Sequence, residues 1–316
     1  MSKIEWTDKT WNPIIGCTKV SPACDNCYAE KMACRLAQME QTAASYGEVV
    51  GLTCKAWNGR TYLVESALGK PLHWRKPCRV FVGSMTDLFH KETPDEWLDK
   101  IFAVMAMTPH ITYQILTKRP EGMREYMNKL RYGVGFVDTP LAIENENAVT
   151  QWLDRGMPNV WLGVTVENQQ WADHRIPILL DTPASVRFVS VEPMLGPVRL
   201  DILNFHQSVL PSAFNALLGG ETLLRHGEWD FQFGSDGAFL DWVICGGETG
   251  HGARPMHPDW ACDLLMQCES EGVPFFFKKW GSYKGLEDWR IPGGEKIGGK
   301  IVREFPTVNG GAVDES

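Results

Sequence analysis

The stretch WNPIIGCTKVSPACDNCYAE, residues 11 to 30, sets the problem that the rest of the chain answers. It opens with an apolar run, Trp11–Ile15, that reads as a strand. Next comes a loop with three thiols in eleven residues, Cys17, Cys24 and Cys27. Behind it, Tyr28–Gln41 has the pattern of a helix. Strand, thiol-bearing loop and helix in this order make a βα unit with metal-binding chemistry at its turn.

The same rhythm recurs along the chain. Short, nearly continuous apolar runs lie at Arg79–Val82, Ile111–Leu116, Val160–Val164, Val186–Val191, Trp242–Cys245 and Pro274–Phe277. They are rich in β-branched and aromatic residues, as strands buried on both faces should be. Helical patterns lie between them: Pro94–Met107 with Thr93 as N-cap, Pro120–Leu130, Glu144–Arg155, Gln169–Leu180 with Pro177 expected to kink or end it, and His257–Glu271 starting with Pro258 and stopping at Gly272. The alternation implies an α/β fold with a parallel sheet. Two long segments interrupt it, 47–77 and 204–241, and read as lids or substrate-side insertions. Residues 1–281 are expected to form one domain, and the Gly-rich 282–316 a C-terminal extension of turns.

Polar residues stand at the end of each strand. Ser84 and Asp87 come after the second run; Thr117, Lys118 and Arg119 come after the third. Glu167, Glu192 and Glu248 each stand just beyond a later apolar run, and Lys278 and Lys279 come after the last. Ligands of parallel α/β sheets gather at the carboxyl ends of strands. Glu192, next to Pro193, suits ribose hydroxyls or an ion pair with Arg187 or Arg199. Glu248 comes after Gly246 and Gly247, which allow close backbone approach. Lys118 and Arg119 suit a carboxylate or a phosphate. His251, Arg254 and His257 are further candidates.

The bulk numbers limit the function. The chain has 316 residues, 44% hydrophobic, with a net charge of -8, so a wholesale clamp on duplex nucleic acid is not expected. No apolar leader or eighteen-residue apolar run is present, which points to a cytosolic protein without membrane contact. Thiols stay reduced in that compartment, so the nine cysteines are not expected to form a disulfide framework. The three-thiol loop can hold a zinc ion or an iron–sulfur cluster. Zinc would need a fourth ligand or an open position, with His73 or His90 as further donors. Cys34 does not fit: seven helical residues beyond Cys27 is about 10 Å, whereas sulfurs on one zinc lie within about 4 Å. A [4Fe–4S] cluster on three thiolates leaves one iron open, and the helix after Cys27 turns its positive end toward an anionic cluster.

A three-cysteine loop after the first strand of a βα barrel resembles the radical S-adenosylmethionine superfamily. The spacing here, C-x6-C-x2-C, is longer in its first gap than the usual C-x3-C-x2-C, and Asn26 stands where an aromatic is usual. More closely, IEWTDKTWNPIIGCTKVSPACDNCYAE, RVFVGSMTDLFH, ILTKRP, VWLGVTVEN, RFVSVEPMLGP and WVICGGETGHGARPMHPDW with FFFKKWG resemble a phage-associated family known by its three-cysteine motif and otherwise of unknown function. The resemblance implies a partial (β/α)6-type TIM-like barrel with two insertions. It implies a [4Fe–4S] cluster on Cys17, Cys24 and Cys27, S-adenosyl-L-methionine chelated at the open iron, a reductant protein, and a radical enzyme. Ser84 and Asp87 would then meet the methionine ammonium, while Lys118, Glu167, Glu192 and Glu248 complete the expected cofactor site.

One stretch remains. KPLHWRKPCR, residues 70–79, combines four cations with a histidine and a tryptophan, a composition suited to single-stranded nucleic acid. A nucleotide or nucleic-acid substrate is the resulting expectation. The alternatives are a non-radical zinc- or cluster-binding module that recognises a protein or nucleic acid, and a zinc hydrolase with Glu167 or Glu192 as base.

Overall fold

The computed structural model describes residues 4–51, 56–132, 139–204, 212–225, 228–233, 238–284 and 292–307. The strands, in chain order, are β1 (Lys9–Trp11), β2 (Ile14–Ile15), β3 (Tyr62–Leu63), β4 (Cys78–Val82), β5 (Ile111–Thr117), β6 (Val160–Thr165), β7 (Val186–Val191), β8 (Leu203–Asn204), β9 (Ser212–Asn215), β10 (Gly220–Arg225), β11 (Glu228–Phe233), β12 (Trp242–Cys245) and β13 (Phe275–Phe277). The helices are α1 (Tyr28–Leu36), α2 (Ala43–Tyr46), α3 (Glu65–Leu68), α4 (Asp95–Ala106), α5 (Pro120–Arg131), α6 (Pro140–Glu144), α7 (Glu146–Asp154), α8 (Gln169–Leu180) and α9 (Pro258–Glu271).

Seven strands form one sheet in the order β1-β4-β5-β6-β7-β12-β13. Parallel pairings run through it: Lys9 faces Val80, Cys78 faces Ile111, Tyr113 faces Val160 and Cys245 faces Phe277. Its strands succeed one another in chain order, with no reversal. That is the order of a βα barrel and not of a doubly wound sheet, which has a switch point. The apolar runs explain it: β6, β12 and β13 are buried at every position, which requires cover on both faces.

The chain divides into two compact units. Unit 1 comprises residues 1–165 and 174–187, and unit 2 comprises 166–173 and 188–316. In unit 1 the expected first strand is two short ones. The run breaks at Asn12-Pro13: β1 joins the large sheet, while β2 pairs antiparallel with β3. The first expected insertion therefore supplies β3, α3 and a 3-10 turn at Lys70–His73.

In unit 2 the second expected insertion holds a separate four-stranded sheet, β11-β10-β9-β8, antiparallel throughout. The tail is not loose turns alone. Phe277 N–H donates to Val302 O and Glu304 N–H to Phe275 O, so the tail pairs with β13. Trp242 Nε1 donates to Glu304 O at 2.8 Å, fixing the buried indole.

Helix ends differ from expectation by local chemistry. α1 stops at Leu36 and not Gln41, because Thr42 Oγ1 donates to Leu36 O at 2.6 Å and takes up a terminal carbonyl. α4 begins one residue late: Pro94 is extended (ψ 148) and serves as N-cap itself. Asn145, at φ -130, separates α6 from α7. α8 runs through Pro177 as one element. α9 starts at Pro258 and ends at Gly272 with φ 69, as Pro and Gly at those places direct.

Candidate metal centre

The thiol loop begins at Gly16, whose φ of +95 turns the chain away from β2. A Cβ there would lie 2.2 Å from Arg60 O, so only glycine fits. The loop is tied to the segment after β4. Gly16 N–H donates to Met85 O, and Thr86 Oγ1 donates to Gly16 O at 2.6 Å. Cys24 ends a 3-10 turn, Pro22–Cys24, and Cys27 is the N-cap of α1. Behind the loop, α1 packs Ala29 and Ala33 with Ile15, Val49 and Met85, and Cys27 and Cys34 lie against this apolar cluster.

Next to Cys17, Thr18 is held from two sides. Arg119 Nη2 donates to Thr18 Oγ1 at 2.5 Å and to Thr18 O at 3.2 Å. His90 Nδ1 accepts from Glu92 N–H at 3.2 Å, so Nε2 carries the proton and donates to Thr18 Oγ1 at 2.9 Å. Burial, and then Arg119, lower the His90 pKa, which keeps the ring neutral. Two donors fill the two lone pairs of one hydroxyl.

Asp87 organises the ends of β4 and β5. Its Oδ1 accepts from Thr117 Oγ1 at 2.6 Å and Phe89 N–H at 3.2 Å. Its Oδ2 accepts from Lys118 N–H at 2.9 Å and lies 4.0 Å from Arg119 Nε. Lys118 Nζ reaches Thr165 Oγ1 at 3.4 Å. Ser84 Oγ donates to Asn12 Oδ1, and Ser84 O accepts from Tyr28 OH. Of the expected cofactor residues in unit 1, Asp87 and Lys118 are therefore brought together. Ser84 instead joins the end of β1 to α1.

Cys17 is pushed up to about 12, first by burial, then by Asp87, with Arg119 opposing and Cys24 and Cys27 adding to the rise. All three thiols are free and partly buried. The donor set is right in kind for an iron–sulfur cluster. Among the described residues, no three or more His, Cys, Asp or Glu side chains converge as they would on a single ion. A tetrahedral zinc needs that convergence, with sulfurs within about 4 Å. A cubane differs in giving each thiolate its own iron. His73 lies on the exposed 3-10 turn, and His90 is taken up by Thr18 and Glu92.

In unit 2 the expected carboxylates have definite surroundings. Glu192, on a cis peptide with Pro193, accepts from Lys278 Nζ at 2.7 Å. Its partner is neither Arg199, which forks onto Asp201, nor Arg187, whose Nη2 donates to Thr182 O. Glu248 is buried and holds Arg254 by its backbone N–H at 2.8 Å, Nε at 2.9 Å and Nη2 at 2.6 Å. Glu167 is fully buried, and its carbonyl accepts from Leu195 N–H. Gly247 permits contact with Trp280: a Cβ there would meet Trp280 O at 2.2 Å. His257 caps α9 through Nδ1, as a structural histidine would, and His251 is exposed.

Thr18 carries no sequence signal, since its partners His90 and Arg119 are remote in the chain. Arg119 had one: a cation at a helix start is electrostatically misplaced unless something holds it. A family model described as "Protein of unknown function (DUF5131)" matches residues 1–306. No curated protein and no solved structure matches the chain.

Proposed function

We propose that this chain, which belongs to the DUF5131 family, is a radical S-adenosylmethionine enzyme with a [4Fe–4S] cluster on Cys17, Cys24 and Cys27, built on a partial (β/α)6-type barrel. The observation that carries it is three free thiols on one loop that is tied to the segment after β4 through Gly16 and Thr86 and that ends at the N-cap of α1. Held by Cys17, Cys24 and Cys27 and reduced by a partner protein, such a cluster would supply the one electron that cleaves a carbon–sulfur bond of S-adenosylmethionine, giving methionine and a 5′-deoxyadenosyl group able to take hydrogen from a substrate.

The residues of the chain then divide the work. Asp87, already holding two backbone N–H groups and a hydroxyl, acts by fixing Thr117, Lys118 and Arg119. Lys118 Nζ, half-buried and weakly held, is placed to meet the carboxylate of S-adenosylmethionine or a substrate phosphate. Ser84 offers its hydroxyl in the same segment. In unit 2, Glu167, Glu192 and Glu248 are proposed for the remaining contacts. Glu192 would have to exchange Lys278 for a ribose hydroxyl, and Glu248 would act through Arg254. A nucleotide or nucleic-acid substrate and a cytoplasmic setting are part of the same proposal. Among the described residues, no helix is long and apolar enough to cross a membrane.

A second reading is a zinc- or cluster-binding module without radical chemistry; the engagement of Glu192 by Lys278 favours it over a hydrolase with Glu192 as base. The test is anaerobic incubation of the cluster-loaded chain with S-adenosylmethionine and dithionite. The proposal predicts 5′-deoxyadenosine, lost in Cys24→Ala. Loaded protein that forms none would overturn the radical reading.

A further inference from the structure

The basic stretch at residues 70–79 lies at the opposite end of the strands from the thiol loop. It enters β4 at Cys78, whereas Ser84 and Asp87 come after β4 ends at Val82. Four strand steps separate those ends by about 13 Å. A strand held here is therefore not threaded directly into the thiol loop. Within unit 1 the neighbours of this edge are also basic. Lys9 Nζ lies 4.4 Å from the Trp74 ring centroid. His110 Nε2 bonds Trp74 O at 2.8 Å. Arg79, beside Lys9, pairs with Asp8.

Lys70, His73, Arg75 and Lys76 are exposed. Among the described residues, no carboxylate lies within ion-pair distance of Lys70, Arg75 or Lys76. Elsewhere on unit 1, Lys19, Lys100, Arg124 and Lys129 each sit against a carboxylate, while Lys31 and Arg35 on α1 are unpaired too among the described residues but have no aromatic ring between them in the sequence. In a chain of net charge -8, three neighbouring cations left uncompensated repel one another and concentrate a local positive field. The segment is one 3-10 turn, Lys70–His73, and then extended chain. It has no apolar helical face to insert in a lipid surface. It does present an anchored tryptophan among cations, the pairing that grips bases and phosphates of single strands.

We propose that the amino-terminal edge of β1 and β4 is a docking surface for single-stranded nucleic acid, gripped by Lys70, Arg75 and Lys76 and stacked at Trp74. The surface stands whether or not the thiol loop carries a cluster. Its role is to tether a strand, apart from any chemistry at the loop.

The test is fluorescence anisotropy with a labelled 20-nucleotide single strand, at salt from 20 to 200 mM, using the full chain. Three phosphates neutralised give a log–log salt slope of about -2, or about 100-fold weaker binding per tenfold salt. The triple variant K70E/R75E/K76E should bind at least about tenfold more weakly at 20 mM, with a slope near zero. Trp74→Leu should weaken binding while keeping the slope. K31E/R35E, exposed cations on α1, should bind like the parent. Melting by circular dichroism checks that each variant is folded, and K70Q/R75Q/K76Q serves if the reversal is not. No binding at 20 mM, or a folded triple variant with unchanged affinity and slope, overturns the proposal. So does equal binding to phosphatidylserine vesicles or polyglutamate.

Discussion

Asp87 is the residue on which the most depends. It is 7% exposed and accepts four contacts that join the ends of β4 and β5. Replacing it with alanine takes the acceptor from the Thr117 hydroxyl and from the Phe89 and Lys118 N–H groups, and the carboxylate from beside Arg119. Unsatisfied buried groups are expensive, so Asp87→Ala should cost about 3 kcal/mol or more in urea unfolding. A loss under about 1 kcal/mol would show that water replaces the carboxylate. Cys17 makes the second residue-scale prediction. Its folded value of about 12 lies above the ordinary value of 9.0. The neutral thiol is thus favoured by folding, with no effect on stability below pH 9 and a rising cost to the ionised form of the unfolded chain's advantage as pH climbs toward 12. Stability should therefore fall across that window. In the metal-free protein, iodoacetamide should label Cys17 at pH 8 about tenfold or more slowly than an unfolded thiol, as read by mass spectrometry. Labelling at the unfolded rate would contradict the burial. Ligation by a metal must also displace this proton, so uptake should quicken with pH.

At the scale of elements, backbone approach matters as much as side chains. The turn after β12 passes so close to Trp280 that Gly247 cannot carry a Cβ without striking a backbone carbonyl at 2.2 Å. Gly247→Ala should therefore prevent soluble expression or lower the melting temperature by more than about 10 °C, a cost of several kcal/mol. The neighbouring Gly246 meets only side chains, at 3.4 Å, and Gly246→Ala should be the milder change. The elements themselves were legible in the sequence. β6, β12 and β13, buried at every position, are nearly continuous apolar runs, and α9 is bounded by Pro258 and Gly272. Helix ends were less so, because they turn on one long-range bond, such as Thr42 to Leu36 O, or on one proline's ψ. The candidate site was half legible. Three cysteines in eleven residues announce themselves, and so do polar residues after strands. The clasp does not, since Thr18 meets His90 and Arg119 across 72 and 101 residues of chain. Nor does spacing show that Glu192 takes Lys278 as its partner.

At the scale of the whole molecule, composition and its departures tell different things. A net charge of -8 argues against a general hold on nucleic acid, while a cluster of uncompensated cations marks one edge of unit 1 for a local one. The carboxyl ends of β4 and β5 carry the thiol-loop network at the other edge. The central claim is that this loop holds a cluster. It is tested most directly by iron, sulfide and zinc analysis of the anaerobically purified chain, beside Cys24→Ala. A cluster on the loop predicts a brown protein with about four iron and four sulfide per chain, and loss of both in the variant. A colourless protein that carries zinc without sulfide, or a variant that retains the full complement, would contradict it.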